Sequence, residues 1–348
     1  MNQILSYSGL ATKIRAMQSR LLTRSQLFEL AGCSSIADAA AYLKQQPGYN
    51  QTLESLDETS LHRSAIEQYL KKSIWRDFSR IYRFCNLKQR QFLELYVIRY
   101  EIAFLKLCLR TVYDENVISI ADEDAAWFYQ RYFSFDIAKL NGTSMLGRLI
   151  DALRGSEYYS ILSGIYDNAG QRTTLFDYEM ALDLYYFGST WKSIHKQFSG
   201  KEKNALLEAY GSKMDMLNIQ WIYRLKKYYK MSAADIFDSL IPVYYRLKRE
   251  TIVSMTEAEN LDSLAELIRS TRYGEQFSED SPSELERRYH AALHAIHRAS
   301  VRKYPYSILC VDSYLYEKEQ ETDLITTIVE GIRYGLSHEE IARYITYT

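Results

Sequence analysis

The sequence predicts an all-α protein of three similar helical domains of about 110 residues each, and three observations predict it. Gly and Pro number only 14 and 4 among 348 residues. They punctuate turns and break helices, so their scarcity points to long helices with short connections. Apolar residues recur three and four positions apart in stretch after stretch, and no strand alternation survives beside that pattern. One pattern also occurs three times, an aromatic followed five residues later by a carboxylate and four after that by an aliphatic. Its instances are Tyr96, Glu101 and Leu105, then Tyr210, Asp215 and Ile219, then Tyr316, Glu321 and Ile325. Self-similarity at a fixed period decides the architecture before any local reading does.

From Leu10 to Tyr49 the pattern is helix, turn, helix. Ile14, Met17, Leu21 and Leu22 form one apolar stripe, and Ser34-Ser35 offers an N-cap before the alanine-rich SIADAAAYLKQQ. Pro47-Gly48-Tyr49 ends that helix. Two further short helices end alike, in a small or polar turn and a tyrosine, at Arg154 to Tyr158 and at Arg269 to Tyr273. A long helix comes next, over Ser64 to Cys85, with counterparts at Phe176 to Phe198 and Leu285 to Tyr304. In the first, Ile66, Tyr69, Leu70, Ile74, Phe78 and Ile81 mark one buried face. The helix carrying the threefold pattern closes each unit. Ser232 with Asp235 and Ser337 with Glu340 read as capping boxes just after it, and Ser119 with Asp122 as a weaker one.

The spacings place seams near Asn116 and Met231, giving domains at 1–117, 118–230 and 231–348. In the third, Ile325, Ile328 and Ile332 are expected to face the core. The carboxylates beside them, Glu319 and Glu321, read as solvated charge at the end of a unit, as do Asp122, Glu123 and Asp124.

Composition narrows the function. Basic and acidic residues nearly cancel, 43 against 44, so no global field recruits nucleic acid. The 31 tyrosines suit broad contact surfaces with a polar rim. Cys33, Cys85, Cys108 and Cys310 form no CxxC pair and read as reduced thiols of a cytosolic protein. No apolar run reaches the length of a membrane span, and the first residues lack a signal-peptide core. Phosphate-loop, dinucleotide and nucleophile-elbow motifs are absent, and Gly188-Ser189-Thr190 and Gly200-Lys201 read as helix ends or turns. The sharpest local constellation is Glu286, His290, His294 and His297, close to one face of one helix. His290 and His294 are four apart, a spacing that can share a metal. Arg287, Arg288, Arg298 and Arg302 surround them, and the helix reads instead as a solvated basic face. No catalytic, cofactor-binding or metal residue is therefore assigned.

The triplication, the segment FDYEMALDLYYF and the closing PYSILCVDSYLYEKEQETDLITTIVEGIRYGLSHEEI resemble one family over essentially the full length. It is the C-type subunit of V/A-type ATP synthases, the family of the d-type subunit in eukaryotic vacuolar ATPases. Typical members read K-E-x-E-x-x-N in the last copy. Here Asp323-Leu324 stands where Asn with a basic neighbour is expected, while Asn218 follows Asp215 by three in the second copy. The resemblance implies a funnel of three helical domains with pseudo-threefold symmetry. It implies a non-catalytic rotor part without cofactor, placed between the central shaft (D- and F-type subunits) and the proteolipid rotor ring. It further implies a peripheral position on the cytoplasmic side of the membrane, coupling ATP turnover to proton or sodium transport. The alternatives are a helical-repeat scaffold unrelated to a rotary ATPase, and an enzyme using the His290–His294 face.

Overall fold

The computed structural model describes residues 3–54, 56, 63–120, 122–167, 173–274 and 282–346, and these contain helices and no strand. In chain order the helices are α1 (Gln3–Gln18), α2 (Arg24–Ala31), α3 (Ile36–Gln45), α4 (Asn50–Leu53), α5 (Arg63–Phe84), α6 (Leu87–Tyr113), α7 (Glu123–Tyr132), α8 (Leu146–Ala152) and α9 (Glu157–Asp167). They continue as α10 (Leu175–Gln197), α11 (Gly200–Arg224), α12 (Ala233–Asp238), α13 (Arg249–Glu257), α14 (Leu261–Arg269), α15 (Pro282–Lys303), α16 (Leu309–Arg333) and α17 (His338–Thr346). The three long helices and the three closing helices thus lie where the apolar periodicity puts them. Gly188 to Thr190, read as a helix end, lies inside α10 instead, because a single glycine costs a helix only about 1 kcal/mol.

The starts are fixed by side-chain caps. Ser35 accepts from the Asp38 amide and Ser232 from the Asp235 amide. Ser337 and Glu340 form a reciprocal box at α17, Ser337 N to Glu340 Oε2 at 2.8 Å and Glu340 N to Ser337 Oγ at 3.3 Å. The expected cap at Ser119 is corrected. Asp122 itself caps α7, accepting from the amides of Asp124 and Ala125.

The chain divides into two compact units, each assembled from separate stretches. One comprises residues 1–86, 200–209 and 273–348. Its axis is α16, which packs against α1, α2, α3, α5, α15 and α17. A helix surrounded in this way must be apolar on most sides. Leu309, Val311, Tyr314, Leu315, Leu324, Ile325, Ile328 and Val329 are all buried. Ile325 and Ile328 are fully buried and Ile332 packs against the same core, as the periodicity predicts. That core is built with Leu30, Ala39, Leu43, Tyr49, Leu53, Ile66 and Leu70, so the C-terminal closing helix is sealed by N-terminal residues.

The other unit comprises 87–199 and 210–272. In it α6 packs on α8 and α10, and α9 on α8 and α10. Lys106 pairs with Asp183 at 2.5 Å, and Arg110 grips both oxygens of Glu179 at 2.6 and 3.1 Å, tying α6 to α10. An aromatic cluster fills the space beside α6. Phe104 lies 4.6 Å from Tyr129 between ring centres, Tyr129 lies 4.7 Å from Phe133, and Phe135 meets Tyr158 edge-on at 5.7 Å.

Candidate functional site

The three carboxylates of the repeated pattern are the most distinctive polar groups of the fold, and all three are buried. Glu101 is 2% exposed, Asp215 0% and Glu321 8%. This corrects the solvated reading of Glu321 and of its neighbour Glu319, which is 7% exposed. Each sits on a closing helix, α6, α11 or α16, one turn before an inward-facing aliphatic. Helical geometry therefore carries it inward with that aliphatic, and the protein supplies donors there instead of water.

The donors follow one plan. Glu101 accepts from the Tyr158 hydroxyl at 2.5 Å and from the Ser134 amide. Glu321 accepts from the Tyr49 hydroxyl at 2.6 Å, from the Leu22 amide and from the Lys318 ammonium at 2.8 Å. Asp215 accepts three successive backbone amides, those of Tyr245, Arg246 and Leu247, at 3.2, 2.7 and 3.1 Å. That is the anion-holding backbone concavity of a nest. Tyr49 and Tyr158, which end two of the repeated short helices in the sequence, are thus the partners of two of the repeated carboxylates.

A second set obeys the same rule without belonging to the repeat. Glu202, 6% exposed, accepts from the Tyr7 hydroxyl at 2.6 Å and the Ile308 amide at 3.2 Å. Asp77 accepts from the Tyr314 hydroxyl at 2.5 Å. Neither is legible in the sequence. Glu202 sits in the first turn of a helix and Asp77 between Arg76 and Arg80, where a carboxylate looks solvated. Only the distant tyrosines reveal them.

The electrostatics agree. Burial, followed by the neighbouring carboxylate, pushes the hydroxyls of Tyr49, Tyr158, Tyr314 and Tyr7 far up, so they remain donors. Burial raises Glu101 above the ordinary glutamate value, and its bonds from Tyr158 and Ser134 pull the other way. With both oxygens taken, Glu101, Asp215 and Glu321 fasten chain segments together. The thiols of Cys108 and Cys310 are pushed up to about 12 by burial, which keeps them protonated, and none of the four cysteines forms a disulfide.

Asn218 lies one turn after Asp215 and brackets the backbone of Ile241. Its Nδ2 donates to the carbonyl at 3.0 Å and its Oδ1 accepts from the amide at 2.9 Å. The corresponding position of α16 is Leu324, which joins the apolar core. The sequence departure there exchanges a backbone clamp for buried hydrocarbon.

The histidine constellation is described only in part. The side chains of Glu286 and His290 lie outside the described residues. His294 is half-buried, and burial lowers its pKa. His297 is buried, stacked on Tyr316 at 4.3 Å between centres, with Nδ1 3.2 Å from Asp312 Oδ2. His297 is therefore packing surface, which corrects the solvated reading for that residue, while Arg298 and Arg302 are exposed. Among the described residues no group of three or more His, Cys, Asp or Glu side chains could hold a metal ion. Nor is any described helix long and apolar enough to cross a membrane.

The sequence matches known proteins along most of its length. Three curated relatives are each named as the C-type subunit of an A-type ATP synthase. The one from Haloquadratum walsbyi is 26% identical, covering 86% of this chain and 87% of its own. That from Methanocaldococcus jannaschii is 22% identical, covering 96% and 85%. That from Methanosarcina acetivorans is 23% identical, covering 95% and 90%. The family model described as ATP synthase (C/AC39) subunit matches residues 10–344, nearly the whole all-helical chain, and the chain belongs to that family.

Proposed function

We propose that this chain is a non-catalytic subunit of an A/V-type rotary ATPase. In this reading it joins the central shaft to the membrane rotor ring, so that ATP turnover is coupled to proton or sodium transport. The observation that carries the proposal is the family match over residues 10–344, with relatives named as A-type ATP synthase subunits that align over most of both chains. The physical character of the chain supports it. A part that passes torque has to be stiff, and long helices tied by buried phenol–carboxylate bonds between distant segments resist shear better than apolar contacts that slide. In the same reading the chain is a triplicated helical protein, with repeats at 1–117, 118–230 and 231–348 arranged as a funnel. It binds D- and F-type shaft subunits and the proteolipid ring from the cytoplasmic side.

Co-purification tests the proposal. Tagged chain isolated from its native membranes should bring down the shaft subunits and the ring, and membranes depleted of it should hydrolyse ATP without moving ions. Recovery with soluble partners alone would overturn it in favour of a helical scaffold.

A further inference from the structure

The end of α11 gathers cations and aromatic rings at one surface. The helix passes into a single π turn over Leu225–Tyr229, closed by the Lys230 amide donating to the Leu225 carbonyl. Such turns are rare and occur frequently at functional sites. Arg224, Tyr228, Tyr229 and Lys230 are exposed there, and Lys226 and Lys227 are half-buried. The Phe176 ring of α10, 39% exposed, lies 6.4 Å between centres from that of Tyr229, itself 66% exposed.

None of Arg224, Lys226, Lys227 and Lys230 makes an ion pair among the described residues. Glu257 and Glu259 stand on either side of Ala258, whose carbonyl takes the Lys226 ammonium at 2.8 Å, and neither pairs with it. Asp177, beside Phe176, has its Oδ2 engaged by Thr174 in the cap of α10. Lys227 donates to the Tyr223 hydroxyl at 3.0 Å and lies over the Tyr223 and Tyr228 rings, 5.2 and 5.6 Å from their centres. The negative end of a long helix favours cations in its last turn. It does not call for three exposed rings among them, and aromatic side chains and arginine are enriched at protein interfaces.

Lys230 is the sharper observation. Its backbone is left-handed, with φ 49° and ψ 37°. Glycine is the usual residue at such a helix end, because a Cβ there is strained. The chain keeps a lysine, and its ammonium, where folding alone favours glycine. Two of the four cations are also ordered, Lys226 by the Ala258 carbonyl and Lys227 by the Tyr223 hydroxyl. A charged bilayer attracts mobile lysines as well as ordered ones. Ordered cations instead ease the meeting with carboxylates at fixed places, as a folded partner presents them.

We propose that Arg224, Lys227 and Lys230, with the rings of Phe176, Tyr228 and Tyr229, form a docking surface for an acidic face of a protein partner. Ion pairs at so exposed a site are individually weak, and the rings supply the contact area that holds them in register. The proposal rests on the rotary-ATPase reading for where that partner is found, in the membrane complex.

The test is rebinding of the purified full chain to native membranes depleted of it, with Tm read alongside. Wild type should rebind saturably, and its affinity should fall as ionic strength rises from about 50 to about 300 mM. Lys230→Gly should weaken rebinding about 2- to 5-fold while Tm does not fall, since glycine relieves the left-handed turn. Arg224→Gln, Lys227→Gln and Lys230→Gly together should weaken it about tenfold or more and flatten the salt dependence. Tyr229→Ser should weaken it at every salt concentration. A loss of rebinding that only follows a loss of Tm overturns the proposal. Wild type that binds protein-free vesicles of the extracted lipid as tightly as the membranes overturns it in favour of the bilayer. Wild type that does not rebind at all overturns the rotary-ATPase reading and the proposal together. Wild type and triple variant rebinding equally leave that reading standing and overturn the proposal alone.

Discussion

Tyr49 donates its phenolic proton to Glu321 across 272 residues of chain, at 2.6 Å in a buried setting. Tyr158 does the same to Glu101 across 57 residues, at 2.5 Å. In each case a backbone amide of a nearby turn, Leu22 or Ser134, fills the other oxygen. The same local device therefore closes α16 with the N-terminal helices and α6 with the helices that follow it.

The two bonds differ in what remains when the phenol is removed. Tyr49→Phe leaves Glu321 with Lys318 and the Leu22 amide, and leaves a ring for Lys318 to lie against. A loss of about 1 kcal/mol is expected in denaturant unfolding. Tyr158→Phe leaves Glu101 with the Ser134 amide and no cation, so about 2–3 kcal/mol is expected. Equal costs would show that the Lys318–Glu321 pair does not compensate.

Asp215→Asn should cost about 2–3 kcal/mol, since a neutral amide replaces a carboxylate held by three backbone amides and turns its own donors toward them. Amide hydrogen exchange should report the change locally. Protection at Tyr245, Arg246 and Leu247 should fall more than protection in α6.

Gly211→Ala probes the same turn from the opposite side. A Cβ at 211 would lie 2.4 Å from Cγ and 2.8 Å from Cβ of Tyr245. Atoms so near the main chain cannot swing aside while Asp215 holds the Tyr245 amide. The expected loss is about 1–3 kcal/mol. The double variant with Tyr245→Ala removes the ring but keeps Cβ, so it should recover part of the loss, and a double-mutant cycle reads that coupling directly.

Two glutamates should give opposite pH slopes. Glu101 is raised above 4.5 in the folded state, so between those values the folded chain binds more protons than the unfolded one. Its contribution is complete below about pH 4.5 and is lost as pH rises through the raised value. Glu340 is lowered by its bonds with Ser337, so its contribution is present above about pH 4.5 and is lost as pH falls through the lowered value. Stability of wild type relative to Glu101→Gln should fall as pH rises from 4 to 7. Relative to Glu340→Gln it should fall on acidification.

The helices are largely legible in the sequence, because burial on one face imposes a three- and four-residue rhythm. Ile325 and Ile328 follow it and are fully buried. Both columns of polar residues are visible too, the tyrosines at 49 and 158 and the carboxylates at 101, 215 and 321. Their pairing is not, since a phenol and a carboxylate are each common on surfaces and nothing local marks two of them as partners. Hence Glu321 reads as solvated until Tyr49 is seen above it, and His297 reads as part of a basic face until Tyr316 and Asp312 cover it.

The sequence by itself determined that the chain is helical and where its long helices run, because periodicity, capping and the lack of breakers act over a few residues. The tertiary structure alone decided that N-terminal helices seal the C-terminal closing helix, that the repeated carboxylates are buried fasteners, and that Lys318 is buried between Glu321 and the Tyr49 ring. Those outcomes depend on which groups meet across hundreds of residues and on the withdrawal of water where they meet. Only the packed chain specifies either.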